Sequence, residues 1–172
     1  MIVDTMTLLW VQHVAWTRKV IVSTLAKLPD ASTAIARLMR NQDDIGAALG
    51  KFYGPEFGRQ SADLLRQHIE ISLGLVKAAA SGNVPEVQRQ NALWHENSIR
   101  IARALSSVNP YWSEAALRAM LFNHLALTQQ EATARIAKNW SGDVAAFDAV
   151  VSQALMMAKA LADGISKQFP GA

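Results

Sequence analysis

The chain of 172 residues contains no cysteine. That single absence removes disulfides, iron–sulfur clusters, thiolate zinc sites and covalently attached haem. Charge is scarce as well. Charged side chains make up 18% of the sequence, and 17 basic against 14 acidic residues leave a net +3 without a basic run. This balance gives no electrostatic footprint for nucleic acid, although the pI is about 9.4. No Gly-rich phosphate loop and no Gly-x-Ser-x-Gly turn occurs, so no nucleotide cofactor is expected. The Glu-x-x-His pattern of ferritin-like carboxylate sites is missing, and His95-Glu96 lacks the second histidine of a zincin.

Long apolar runs are also wanting. The opening MIVDTMTLLWVQHVAWTRKV carries Asp4, has no basic residue before Arg18, and is interrupted by Gln12 and His13. It does not read as a secretory signal, and no later segment reads as the roughly 20 apolar residues of a membrane span. The expectation is a cytoplasmic protein with no membrane partner. What is present is a hydrophobic fraction of 51%, too high for a disordered chain and enough for one domain, 1–172, with its own core.

Proline is rare and falls only at joints. Pro29, Pro55, Pro85, Pro110 and Pro170 lie between or just outside stretches with helical apolar spacing, and Ser141-Gly142-Asp143 supplies one more break. The spacing predicts six helices over 5–28, 31–53, 56–81, 84–107, 113–139 and 143–168. Asp30 or Ser32 is the expected cap of the second, and Asn83 with Glu86 resembles a capping box for the fourth. No β-branched alternation calls for strands, and no repeat at a fixed period is read. Short connections favour antiparallel neighbours. The fold class is therefore all-α: an antiparallel up-and-down bundle of about six helices, or a four-helix core plus a helical hairpin.

Four histidines are the only soft nitrogen ligands. His13, His68 and His124 lie on apolar stripes of the first, third and fifth helices, each close to its helix midpoint, as does Asn97 on the fourth. His95 falls on a flank. Glu131 shares the stripe of His124 about two turns, or roughly 10 Å, further along. Midpoints of antiparallel neighbours lie at similar height, so His13, His68, His124 and Asn97 are expected to converge. Imidazole donors suit a divalent metal (Zn, Fe, Mn or Ni), with Asn97 and Glu131 as auxiliary ligands or groups behind them. Arg18 and Asp44 are expected to pair across the first hairpin, and Glu96 with Arg100 on the surface.

The segments LWVQHVAWTR, DIGAALGKFYG, LLRQHI, the Trp94/Asn97 pair, SSVNPYW and HLALTQQE resemble a family of short bacterial all-helical proteins without an established activity. Related sequences have carried the names acetylglutamate kinase and glycosyltransferase, which belong to α/β enzymes. His13, His68 and His124 lie inside the resembling segments and His95 does not. Three readings stand open: a bundle binding a divalent metal through its core histidines, a non-catalytic protein that associates with itself as a homodimer, and a bundle with a pocket for a small organic ligand.

Overall fold

The structure is a computed structural model and describes residues 2–171. It contains α1 (Ile2–Leu25), α2 (Ala31–Tyr53), α3 (Pro55–Ala80), α4 (Val84–Val108), α5 (Glu114–Ile136) and α6 (Trp140–Gln168), with no strand among the described residues. The all-α expectation is met. Local chemistry accounts for most of the joints. Gly54, at φ 90°, ends α2, and Pro55 begins α3 at once. Side chains of Asn83, Ser113 and Asn139 accept from the backbone N–H of Glu86, Ala116 and Gly142 and so cap α4, α5 and α6.

Four local expectations change. The Asp30 side chain does not cap α2; it pairs with Lys19 at 2.7 Å. The box at Asn83 is half made, because the Glu86 carboxylate holds Arg89 and Gln90 instead of turning back. Helices α1 and α5 stop three residues early, where Lys27 and Lys138 take φ of 53° and 58° and turn the chain out of the helix. The break before α6 thus lies at 137–139, and Asp143 belongs to the first turn of α6. Finally, α6 is long and apolar enough, by length and composition, to cross a membrane, a property the sequence reading denied to every segment. Its Ala, Val, Leu and Met content supplies that hydropathy, and Val150, Ala154, Met157, Leu161 and Ile165 are buried inside the bundle.

Each helix packs on the next, and α6 returns to α1, closing a ring of six. Helices α1, α3 and α5 also touch one another at its centre. The up-and-down six-helix arrangement is the one that forms, and no hairpin stands outside a four-helix core.

The ring holds an internal threefold pattern that the sequence reading did not find. Residues of the three hairpins correspond at separations of 55 and 56 on the inner helices, as His13, His68 and His124 do, and at 56 and 56 on the outer ones. Buried sets follow in register: Trp10, Leu65 and Leu121; Val14, Ile69 and Leu125; and, on the outer helices, Leu49, Leu105 and Leu161. Ile21, Val76 and Ala132 form a cluster of their own, which places three equivalent positions against one central axis.

The joint between the first two hairpins is the tightest of the ring. A Cβ on Gly46 would meet Gly58 O at 2.5 Å and Ala62 Cβ at 2.8 Å. Its equivalents, Ala102 and Ala158, already carry a methyl group. Gly46→Ala should lower the free energy of unfolding by roughly 1–2 kcal/mol, because forcing α2 from α3 outweighs the helix-propensity gain. Urea denaturation at neutral pH measures it.

Candidate functional site

Three imidazoles lie buried at mid-height: His13, His68 and His124 are each under 5% exposed. A ring in that position needs a partner for its polar edge, and each finds an amide on the next helix. Gln42 Nε2 lies 3.3 Å from His13 Nδ1, His68 Nδ1 lies 2.8 Å from Asn97 Oδ1, and His124 Nδ1 lies 2.9 Å from Gln153 Oε1. Every one of these pairs spans 29 residues. Asn97, Gln153 and, in the first hairpin, the neighbouring Asn41 are keyed to the helix bearing the ring. Asn41 Nδ2 donates to Leu9 O, Asn97 Nδ2 to Leu64 O, and Gln153 Nε2 to Met120 O, in each case the carbonyl four residues before the histidine.

These bonds set the tautomers. Because Asn97 and Gln153 commit their nitrogens to backbone carbonyls, their oxygens face the rings, and His68 and His124 carry the proton on Nδ1. In the first hairpin Gln42 Nε2 also donates to Leu38 O at 2.8 Å, while Asn41 sits on the same ring.

The rings are neighbours. His13 and His124 have centroids 5.7 Å apart, and Trp10 and Trp94 stand beside His13 and His68 at 5.4 and 5.2 Å. Burial, and then the repulsion each protonated ring would feel from the others, lowers the pKa of His13 to about 3. Burial lowers His68 likewise to about 3, against the hydrogen bond it donates to Asn97 Oδ1, and it lowers His124. All three are neutral at physiological pH. Several polar atoms around them have no partner: Gln42 Oε1 and the indole nitrogens of Trp10 and Trp94.

The expected convergence of His13, His68, His124 and Asn97 is thus present as a layer of linked side chains. It is not a closed coordination sphere: no group of three or more His, Asp or Glu among the described residues is placed to hold one ion. Asn97 is a hydrogen-bond partner of His68. Glu131 stands apart and serves an arginine. Arg18 Nη1 donates to Glu131 Oε1 and to Asp143 Oδ1, both at 2.9 Å, and Arg135 reaches Asp143 Oδ2 at 3.0 Å. Both carboxylates are nearly fully buried. Burial pushes the Glu131 carboxyl up to about 7 against the pull of Arg18. Burial also raises Asp143, but the hydrogen bonds from Arg18 and Arg135 prevail and hold it below the usual range.

The Arg18–Asp44 pair therefore does not form. Asp44 lies at the surface, 4.0 Å from Arg37, because α6 rather than α2 supplies the acid beside Arg18. Arg100 turns to Gln67 in place of Glu96, and His95 bonds the Asn91 carbonyl and packs its ring on Phe122.

One turn beyond the histidine layer lies a second threefold set. Thr17, Ser72 and Thr128 follow the histidines by four residues. Thr17 and Thr128 donate to the carbonyls of His13 and His124, and Ser72 to that of Ile69. All three line a partly open cavity of about 260 Å³ that extends toward the ends of α1, α3 and α5. Ile21, Val76 and Ala132 form part of its wall, and Asn91 and Gln129, hydrogen-bonded to each other, are among its polar lining groups. The histidine-then-hydroxyl spacing, seen in QHVAWT, QHIEIS and NHLALT, was the available signal. Gln153 was missed because α6 is otherwise so apolar; its distance from His124, equal to that from His68 to Asn97, would have exposed it. Comparison of the chain with protein-family models, curated protein sequences and solved structures finds no match.

The buried rings give the molecule an acid-sensitive core. A histidine whose folded pKa lies below its unfolded value of about 6.5 withdraws stability as pH falls through 6.5, since only the unfolded chain takes up the proton. Between pH 7 and 5, His13 and His68 should each remove about 2 kcal/mol, and His124 acts in the same direction. Glu131, protonated in the fold up to about pH 7, offsets roughly one of them over the same interval. Net stability should fall by about 2 kcal/mol or more, measured by urea denaturation at both pH values; unchanged or rising stability would contradict neutral imidazoles.

Proposed function

We propose that the protein is a small-molecule binding protein whose site is the cavity beside its threefold axis. The observation that carries this reading is the cavity itself. A space of about 260 Å³ with mainly apolar walls persists in a bundle whose other layers are filled by large side chains. An apolar cavity of about 150 Å³ accepts benzene, so this one has room for a ring and a short substituent. Ligand sites are of this kind: concave, mostly apolar, with a few fixed polar groups. The space arises where the third hairpin carries Ala132 opposite Ile21 and Val76. Ala132→Ile, the first hairpin's residue, should fill it. Toluene should shift the methyl resonances of Ile21 and Val76 saturably in the wild type and leave the Ala132→Ile protein unaffected. Absence of saturable shifts in the wild type would defeat the reading.

A second reading is favoured by the histidine layer. His68 and His124, anchored at Nδ1 by an amide oxygen, have the arrangement of metal-ligating histidines. The orphaned polar atoms around them call for a buried guest, an ion or an ordered water. On this reading His13, His68 and His124 hold one divalent ion, Zn, Fe, Mn or Ni, and ligand deprotonation costs little because the rings are already neutral. Elemental analysis of protein purified without a His-tag or chelator should then give about one metal per chain. Titration with Co²⁺ should give the visible spectrum of a low-coordinate site, lost in His68→Ala/His124→Ala. Substoichiometric metal that survives those substitutions would sink it.

A further inference from the structure

We infer that the outer face of α6, with the edge of α1 beside it, is the contact surface for a second copy of this chain. Neither the cavity nor the histidine layer takes part. The threefold pattern supplies an internal control. On the outer helices, Ser152 and Met156 stand where α4 carries Glu96 and Arg100 and α2 carries Arg40 and Asp44. On the inner helices, Leu8, Val11 and Ala15 stand where α3 carries Asp63, Arg66 and Glu70. The same positions of α5 hold Ala119, Phe122 and Ala126, and His95 packs on Phe122. None of these positions is charged along the arc of α5, α6 and α1, although the arc faces outward. Leu8 is 57%, Val144 53% and Met156 61% exposed. Apolar surface gathered in one place marks an interaction site.

The charges that do stand on this face identify its occupant. Asp148 and Lys159 lie about three turns apart on the exposed side of α6, with Ser152 and Leu155 between them. They are equally far from the height of Gln153 and Ala154, the level of the histidine layer. A second α6 laid antiparallel across a twofold axis at that height sets Asp148 against Lys159 of the copy, and Lys159 against its Asp148. The same axis sets Leu155 against Ser152 of the copy, so a large side chain meets a small one. Parallel pairing would place Asp148 on Asp148 and Lys159 on Lys159, which like charges disfavour. Asp148 makes no ion pair among the described residues, and Lys159 holds Asp163 at 2.6 Å with protons to spare. The outer side of α6 and the edge of α1 offer a strip about 35 Å long and 20 Å wide, roughly 700 Å² per copy. A stable interface takes about 800 Å² from each partner. A bilayer suits the face poorly: one side of α6 is buried in the bundle, and hydrocarbon would strand Asp148 and Lys159 in the middle of the other.

Sedimentation equilibrium of the full chain tests this, with far-UV circular dichroism to show that each variant stays helical. At micromolar concentration the wild type should weigh twice 18.8 kDa. Leu155→Glu/Met156→Glu should be monomeric, and because both side chains are exposed the bundle's own core is untouched. Asp148→Lys should weaken association at least about tenfold, and so should Lys159→Asp. Combined, the two should return it to within about threefold of the wild type, because the exchanged pair again meets its opposite. A different partner protein gives no such rescue. A monomeric wild type would overturn the inference, as would dimers indifferent to Leu155→Glu/Met156→Glu or single reversals that the double variant fails to rescue. A monomer that sediments with vesicles of phosphatidylcholine and phosphatidylglycerol would overturn it in favour of a membrane.

Discussion

Placing three imidazoles at the waist of an apolar bundle is the demand that organises everything around it. Each buried ring needs a partner for its Nδ1, and here that partner comes from another helix. In the second and third hairpins the amide that does this also holds the carbonyl four residues before the ring, and in the first the neighbouring Asn41 holds it. These side chains span two points on one helix from one place on the next, so α2, α4 and α6 cannot slide along α1, α3 and α5 without breaking both bonds. Leu49, Leu105 and Leu161 reach the same layer because the height of each hairpin is keyed in this way. Buried polar contacts of this type add little net energy, yet displacement from them is costly.

The hydroxyl set and the cavity follow from that register. Thr17, Ser72 and Thr128 stand together because the histidines do, and their short side chains leave the space that bulkier residues fill elsewhere. One break in the pattern buries a charge. The position occupied by Val20 and Leu75 in two hairpins is Glu131 in the third, which creates a buried acid and with it the need for Arg18.

Much of this was legible in the sequence. Proline and glycine at the joints, with helical apolar spacing between them, sufficed for six helices and the all-α class. Polar residues on apolar faces sufficed for His13, His68, His124 and Asn97. The threefold pattern was hidden because its core positions tolerate exchange among apolar residues, as Leu38, Trp94 and Val150 show, while only short polar signatures persist. The partner of Arg18 was misjudged because sequence neighbours suggest pairing within a hairpin. Asp143 lies 125 residues away and meets Arg18 only once α6 has closed on α1. Glu131 was placed correctly on a buried face, but a face does not reveal which charge from another helix will cover it.

That closure gives the charged cluster a different significance. Every other pair of neighbours around the ring is joined by a loop; α6 and α1 are joined by contact alone. Arg18, gripping Asp143 and Glu131 at once, ties the first hairpin to both helices of the last. It works as a clasp on a bracelet whose other links are covalent, and the first and third hairpins owe their alignment at that seam to side chains where the remaining joints can rely on the chain itself.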